Sequence, residues 1–155
     1  MKRILFCFVI FGLVLSLASC GDQPTAYELA ESFREQYGMG GTLFSPEVPE
    51  GEGGFVRDGF FESLYGDYYV SVSDFAVILY SDGEHISECA VLIAASPYDA
   101  LILSDALYRR LELIRSVSED DASLDGAFVR RKGTVAVMCA VLDNQRADLI
   151  WKKLM

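Results

Sequence analysis

The chain has one histidine, His85, and four cysteines, Cys7, Cys20, Cys89 and Cys139, so nucleophilic chemistry has few places to reside. A hydrolytic triad needs a nucleophile, a base and an orienting acid within hydrogen-bond reach. His85 and Cys89 fall on one side of an extended segment, but four strand residues part them by ~13 Å. That is too far for proton transfer, and His85 could meet Cys139 only across a sheet. There is no Gly-x-Ser-x-Gly elbow. Asp121-Ala122-Ser123-Leu124-Asp125-Gly126 reproduces the first half of an EF-hand loop, yet Lys132 stands where the loop needs its bidentate acid. Two Cys and one His within apolar runs lack zinc-site spacing. The glycine-rich stretches Gly38-Met39-Gly40-Gly41 and Gly51-Glu52-Gly53-Gly54 precede no Gly-Lys-Ser/Thr and so have no phosphate-cradling motif. These exclusions predict a protein that is not an enzyme and holds no metal or cofactor.

Two groups of residues suit recognition instead. Eight aromatic residues fall between Phe55 and Tyr80, among them Tyr65, Tyr68 and Tyr69. Most must be core, since each has ~150–250 Å² to bury. Adjacent Tyr68 and Tyr69 cannot both point inward from an extended chain, which leaves one free to stack on a sugar ring or a peptide. The second group is basic: Arg130-Arg131-Lys132 with Arg109 and Arg110 forms either a patch for an acidic partner or a solvated hairpin tip and helix face. A net charge of −10 argues against nucleic acid as a partner, because binding a polyanion needs a basic face.

The N-terminus differs from the rest. Lys2 and Arg3 precede an uncharged run from Ile4 to Ser19, shorter than the ~20 residues that span a bilayer. This is the pattern of a cleaved signal. Leu17-Ala18-Ser19-Cys20 resembles the lipobox of bacterial lipoproteins. That resemblance implies signal-peptidase recognition of Leu17, Ala18 and Ser19, cleavage after Ser19, and a diacylglyceryl thioether on Cys20. An ordinary secretory signal and an uncleaved anchor are the other readings. Two or three acyl chains would hold the protein stably to the lipid bilayer on the extracytoplasmic face. Loss of Lys2 and Arg3, with no acid, moves the charge from −10 to −12. The lipid, not a basic patch, must then supply the attachment. Cys89 and Cys139 remain to pair; both lie in apolar runs, where two free thiols in neighbouring strands are preferred to a disulfide.

Three segments follow: a signal over 1–19, a lipidated N-terminus with helix and Gly/Pro-rich linker over 20–54, and a globular domain over 55–155. Thr25-Ala26-Tyr27-Glu28 has capping-box form and opens a helix over 25–37. A short helix over 58–65 ends at Gly66. Asp82-Gly83 between apolar runs predicts a hairpin of strands over 72–80 and 86–94. Ser96-Pro97 starts a helix over 97–117. A second hairpin turns at Lys132-Gly133, its first strand opening at Ala127-Phe128-Val129 and its second spanning Thr134 to Leu142, and Asn144 caps a final helix. The order β-β-α-β-β-α predicts an α+β fold with helices on a mostly antiparallel four-stranded sheet. Residues 75–80 and 135–142 are apolar on both faces, so the second face needs cover from the N-terminal segment, which is favoured, or from another chain, as in a homodimer.

Leu64-Tyr65-Gly66 through Glu88-Cys89-Ala90-Val91, the Tyr108-Arg109-Arg110-Leu111 helix face and the Lys132-Gly133 turn resemble the bacterial domain-of-unknown-function family 4358, found in small lipoproteins. The resemblance covers about 60–155 and implies fold and envelope location, with no catalytic residue. The expected function is a membrane-tethered extracytoplasmic lipoprotein that binds an envelope protein without catalysis. The alternative is a glycan- or peptide-binding module using Tyr65, Tyr68 and Tyr69.

Overall fold

A computed structural model describes residues 23–57, 59–81, 85–118 and 124–155, with the side chains of Tyr69 and Val70 set aside. Leu17, Ala18, Ser19 and Cys20, and the Asp121–Ser123 part of the EF-hand-like stretch, lie outside the described residues.

The protein is α+β: among the described residues it has one antiparallel five-stranded sheet and four helices. In chain order the elements are α1 (Ala26–Tyr37), β1 (Thr42–Phe44), α2 (Phe60–Tyr65), a 3-10 turn (Asp67–Ser71), β2 (Val72–Ser81), β3 (Ile86–Ala94), α3 (Pro97–Val117), β4 (Phe128–Lys132), β5 (Val135–Ala140) and α4 (Asn144–Leu154). The sheet runs β1-β2-β3-β5-β4.

Capping chemistry sets the helix starts where the sequence predicts them. Thr25 accepts from the Glu28 N–H at 3.1 Å and Glu28 accepts from the Thr25 N–H at 3.0 Å. Ser96 accepts from the Asp99 N–H at 3.1 Å, with Pro97 in the first turn where a missing N–H costs nothing. The last helix differs from expectation. Asp143 is the cap, accepting from the Arg146 N–H at 2.9 Å. Asn144 instead accepts from the Val141 N–H at 3.2 Å and donates to the Asp125 carbonyl at 3.0 Å, tying the end of β5 to the preceding turn.

Alternation on the central strands builds two cores. Phe75, Val77, Ala90, Leu92, Ala136 and Met138 face α2 and α3. Ala76, Ile78, Cys89, Val91, Val137 and Cys139 face α1 and α4. The second face is thus covered within the chain: Leu29, Ala30 and Phe33 of α1 lie beside Ala147, Ile150 and Trp151 of α4.

Two expectations are corrected here. The sheet has five strands, not four, because Leu43 pairs with Ile78 in a short edge strand, β1. That strand lies inside the stretch expected to be linker, where Met39, Leu43, Ser45 and Val48 are buried. The described fold therefore includes α1 rather than starting near Phe55, and residues 38–54 carry the edge strand and pack on the domain instead of letting it stand off from the first helix. Glycine makes the close approach feasible: a Cβ on Gly54, whose φ is 101°, would come within 2.0 Å of the Leu43 carbonyl oxygen. Gly54→Ala is expected to cost about 2 kcal/mol by urea denaturation, the scale of a strained left-handed residue. An unchanged midpoint would contradict this placement of the edge.

Candidate functional site

The end of α2, the 3-10 segment and α3 line a cleft on the α3 side of the sheet, with Glu88 of β3 buried beneath it. Gly66, at φ 72°, ends α2 and turns the chain into the 3-10 segment. This sends Tyr65 down into the core and leaves Tyr68 half-buried at the cleft wall. Glu88 rises from β3 on the same face as Ala90 and Leu92, in a position otherwise reserved for apolar side chains. Arg109, Arg110 and Leu113 come from α3. The cleft has a volume of about 490 Å³ and is lined by Tyr65, Asp67, Tyr68, Arg109, Arg110 and Leu113 among others.

Arg110 and Tyr65 line it over a buried ion pair. Glu88 is fully buried, and Arg110, whose side chain is 18% exposed, grips it in fork geometry. Arg110 Nη2 lies 2.6 Å from Oε2, and Nε lies 3.0 Å from Oε2 and 3.1 Å from Oε1. Tyr65 donates its hydroxyl to Glu88 Oε1 at 3.1 Å. A carboxylate this deep is tolerable only with partners on its oxygens, and here it has both a cation and a phenol. Burial raises the Tyr65 phenol well above its ordinary value, and the charge on Glu88 pushes it further. Burial alone would lower Arg110, but the hydrogen bonds and charge of Glu88 prevail and raise it.

The wall differs in kind. The Arg109 guanidinium sits 5.8 Å from the centre of the Tyr68 ring, within cation–π range, and makes no ion pair among the described residues. Arg110 is committed to structure, whereas Arg109 has donors to offer.

Of the expected contact residues, the structure brings Tyr65 and Tyr68 to one cleft but gives them different parts, since Tyr65 is buried by Glu88 and only Tyr68 faces the opening. The side chain of Tyr69 lies outside the description. The basic residues do not form one patch. Arg109 and Arg110 line this cleft, while Arg131 reaches the Pro97 carbonyl at 3.5 Å and Arg130 pairs with Asp148 on α4. Glu88 was not picked out from sequence, although a lone acid between Ser87 and Cys89 in a nine-residue apolar strand is a visible signal.

The cysteines sit on the opposite face. Cys89 and Cys139 are register partners in β3 and β5, both buried as free thiols, with sulfurs 3.1 Å apart. Trp151 Nε1–H donates to Cys139 Sγ at 3.0 Å. Burial first, then the Cys139 hydrogen bond, raises Cys89 well above its ordinary value and keeps it a neutral thiol. Among the described residues no group of three or more His, Cys, Asp or Glu is arranged to hold a metal ion, and no helix is long and apolar enough to cross a membrane.

The raised thiol and phenol set the alkaline limit of stability. In the unfolded chain Cys and Tyr ionise near about 8.5 and 10. Cys89 and Tyr65 keep their protons in the fold, so the folded state binds more protons above those values and stability falls as pH rises. Unfolding free energy should decline from about pH 8.5 and more steeply beyond about 10, and Tyr65→Phe should shrink the second step, leaving the smaller part due to Tyr37, which burial also raises. A flat profile to pH 11 by denaturant titration would contradict the burial of both groups.

Compared with known proteins, the chain matches no family model, no curated protein and no solved structure. The resemblance to family 4358 therefore has no family-model match behind it.

Proposed function

We propose that the protein is a bacterial lipoprotein anchored through acylated Cys20 on the extracytoplasmic face of a membrane, whose domain binds another envelope protein through the cleft between α2 and α3. The observation that carries the binding half is the division of labour in the cleft: Glu88 is fully occupied by Arg110 and Tyr65, while Arg109 and Tyr68 stand at the opening with donors and an aromatic edge. A rigid ion pair beneath a polar, aromatic wall is the form of a recognition site. The anchoring half rests on Leu17-Ala18-Ser19-Cys20 closing an uncharged run.

A glycan or short peptide is the second reading, favoured by the 490 Å³ volume of the cleft. A sugar would have to displace Arg109 from Tyr68 before stacking there, whereas an acidic side chain or chain end would use Arg109 where it is. A photo-crosslinker at Leu113 in the membrane-bound protein separates the two. A single discrete protein adduct, lost on Arg109→Glu, is the expected result. Identical adducts from both forms would remove the cleft from the account. A saturable thermal shift with a small glycan and no protein adduct would favour the second reading.

A further inference from the structure

Lys132 and Lys152 line one groove at an end of the domain, with Lys153 beside them in the last turn of α4, and the described chain enters the fold at that same end. Gln23 and Pro24 share a groove of about 610 Å³ with Lys132, Gly133, Leu154 and Met155. The register places the rest: the Ala26 N–H donates to Asp74 at 2.7 Å, Asp74 is opposite Ile93, and Ile93 is opposite Val135. Lys132 bonds the main-chain oxygen of Met155, so the hairpin turn and the end of α4 close on one another. Arg130 and Arg131 complete a group of five cations.

Among the described residues, the acids of the segments that meet here are occupied. Glu28 and Asp74 accept from N–H groups at the start of α1, Asp99 accepts from Ser96, and Asp148 is shared by Arg130 and Lys152. Arg131 and Lys153 make no ion pair among the described residues. An otherwise acidic molecule thus gathers five cations, two of them without an ion pair among the described residues, beside the point where its described chain enters the fold.

We infer that this end face docks on anionic phospholipid headgroups and sets the orientation of the domain on the bilayer. The inference rests on the acylation of Cys20 proposed above. Two residues, Gly21 and Asp22, separate Cys20 from Gln23, three steps that span about 10 Å of extended chain, so an acylated Cys20 brings the face within about one Debye length of the phosphates. The acyl chains attach and the cations orient. Because α3 starts at this end and rises about 1.5 Å per residue, Arg109 and the cleft stand about 20 Å above the headgroups.

The test is lysine acetylation of the full acylated protein in vesicles of phosphatidylcholine alone or with phosphatidylglycerol, read peptide by peptide by mass spectrometry. Lys132, Lys152 and Lys153 should react about fivefold more slowly in the anionic vesicles, the factor that about 1 kcal/mol per basic residue near such a surface represents. High salt should abolish the difference. Equal reactivity in both vesicles, with Cys20 seen acylated in the same digest, would overturn the orientation and leave the anchor standing. A Cys20 peptide without lipid would overturn both. Protection that needs an added anionic cell-wall polymer instead of phosphatidylglycerol would assign the face to that polymer and overturn the inference.

Discussion

Arg110→Met should destabilise the domain by about 3–5 kcal/mol, the usual cost of stripping one partner from a buried ion pair. Glu88 would be left fully buried with only the Tyr65 hydroxyl on one oxygen. The size of the loss comes from the stranded charge, not from the worth of the pair. Replacing both members with apolar residues, as in Glu88→Leu/Arg110→Met, should recover much of it, with Tyr65→Phe recovering the rest by removing an orphaned hydroxyl. Urea denaturation of the three variants measures this directly. A loss below about 1 kcal/mol in the single variant would mean that Glu88 reaches water and that the cleft has no rigid ion pair beneath it.

The second large effect is expected on the other face. Trp151 is fully buried, stacks on Phe33 with ring centres 4.9 Å apart and 9° between planes, and bonds Cys139 through its indole N–H. It joins α4, α1 and β5 at one point. Trp151→Ala should cost about 3–5 kcal/mol, the range for emptying a large aromatic site in a core. Since both terminal helices lose their shared contact, amide exchange in α1 should rise with that in α4. Trp151→Phe keeps the stack, loses only the N–H to sulfur and should cost clearly less. If α1 kept its protection in Trp151→Ala, the two helices would not be covering the second face together.

How much of this was legible in the residues depended on range. Helix starts depend on two or three neighbouring side chains, and Thr25 with Glu28 and Ser96 with Pro97 state them outright. The hairpins were equally local. The need to cover a second sheet face followed from alternating apolar residues on both sides of β2 and β5. What failed was non-local. β1 is three residues in a Gly- and Pro-rich stretch, with no periodicity of its own, and exists because β2 offers it an edge. At α4, Asp143 and Asn144 are both good caps, and Asn144 was drawn away by Asp125 across a turn. The cleft was half visible: the aromatic cluster drew attention to Tyr65 and Tyr68, but the partner of Glu88 lies 22 positions away on another element. A buried acid in a strand demands a cation, without saying which one.

The anchor is the claim on which location, orientation and partner all depend, and the mass of the mature N-terminal peptide tests it most directly. The account predicts a chain that begins at Cys20 and carries a diacylglyceryl group on that sulfur. A mature chain that retains residues 1–19, or one that presents Cys20 as an unmodified thiol, would contradict it.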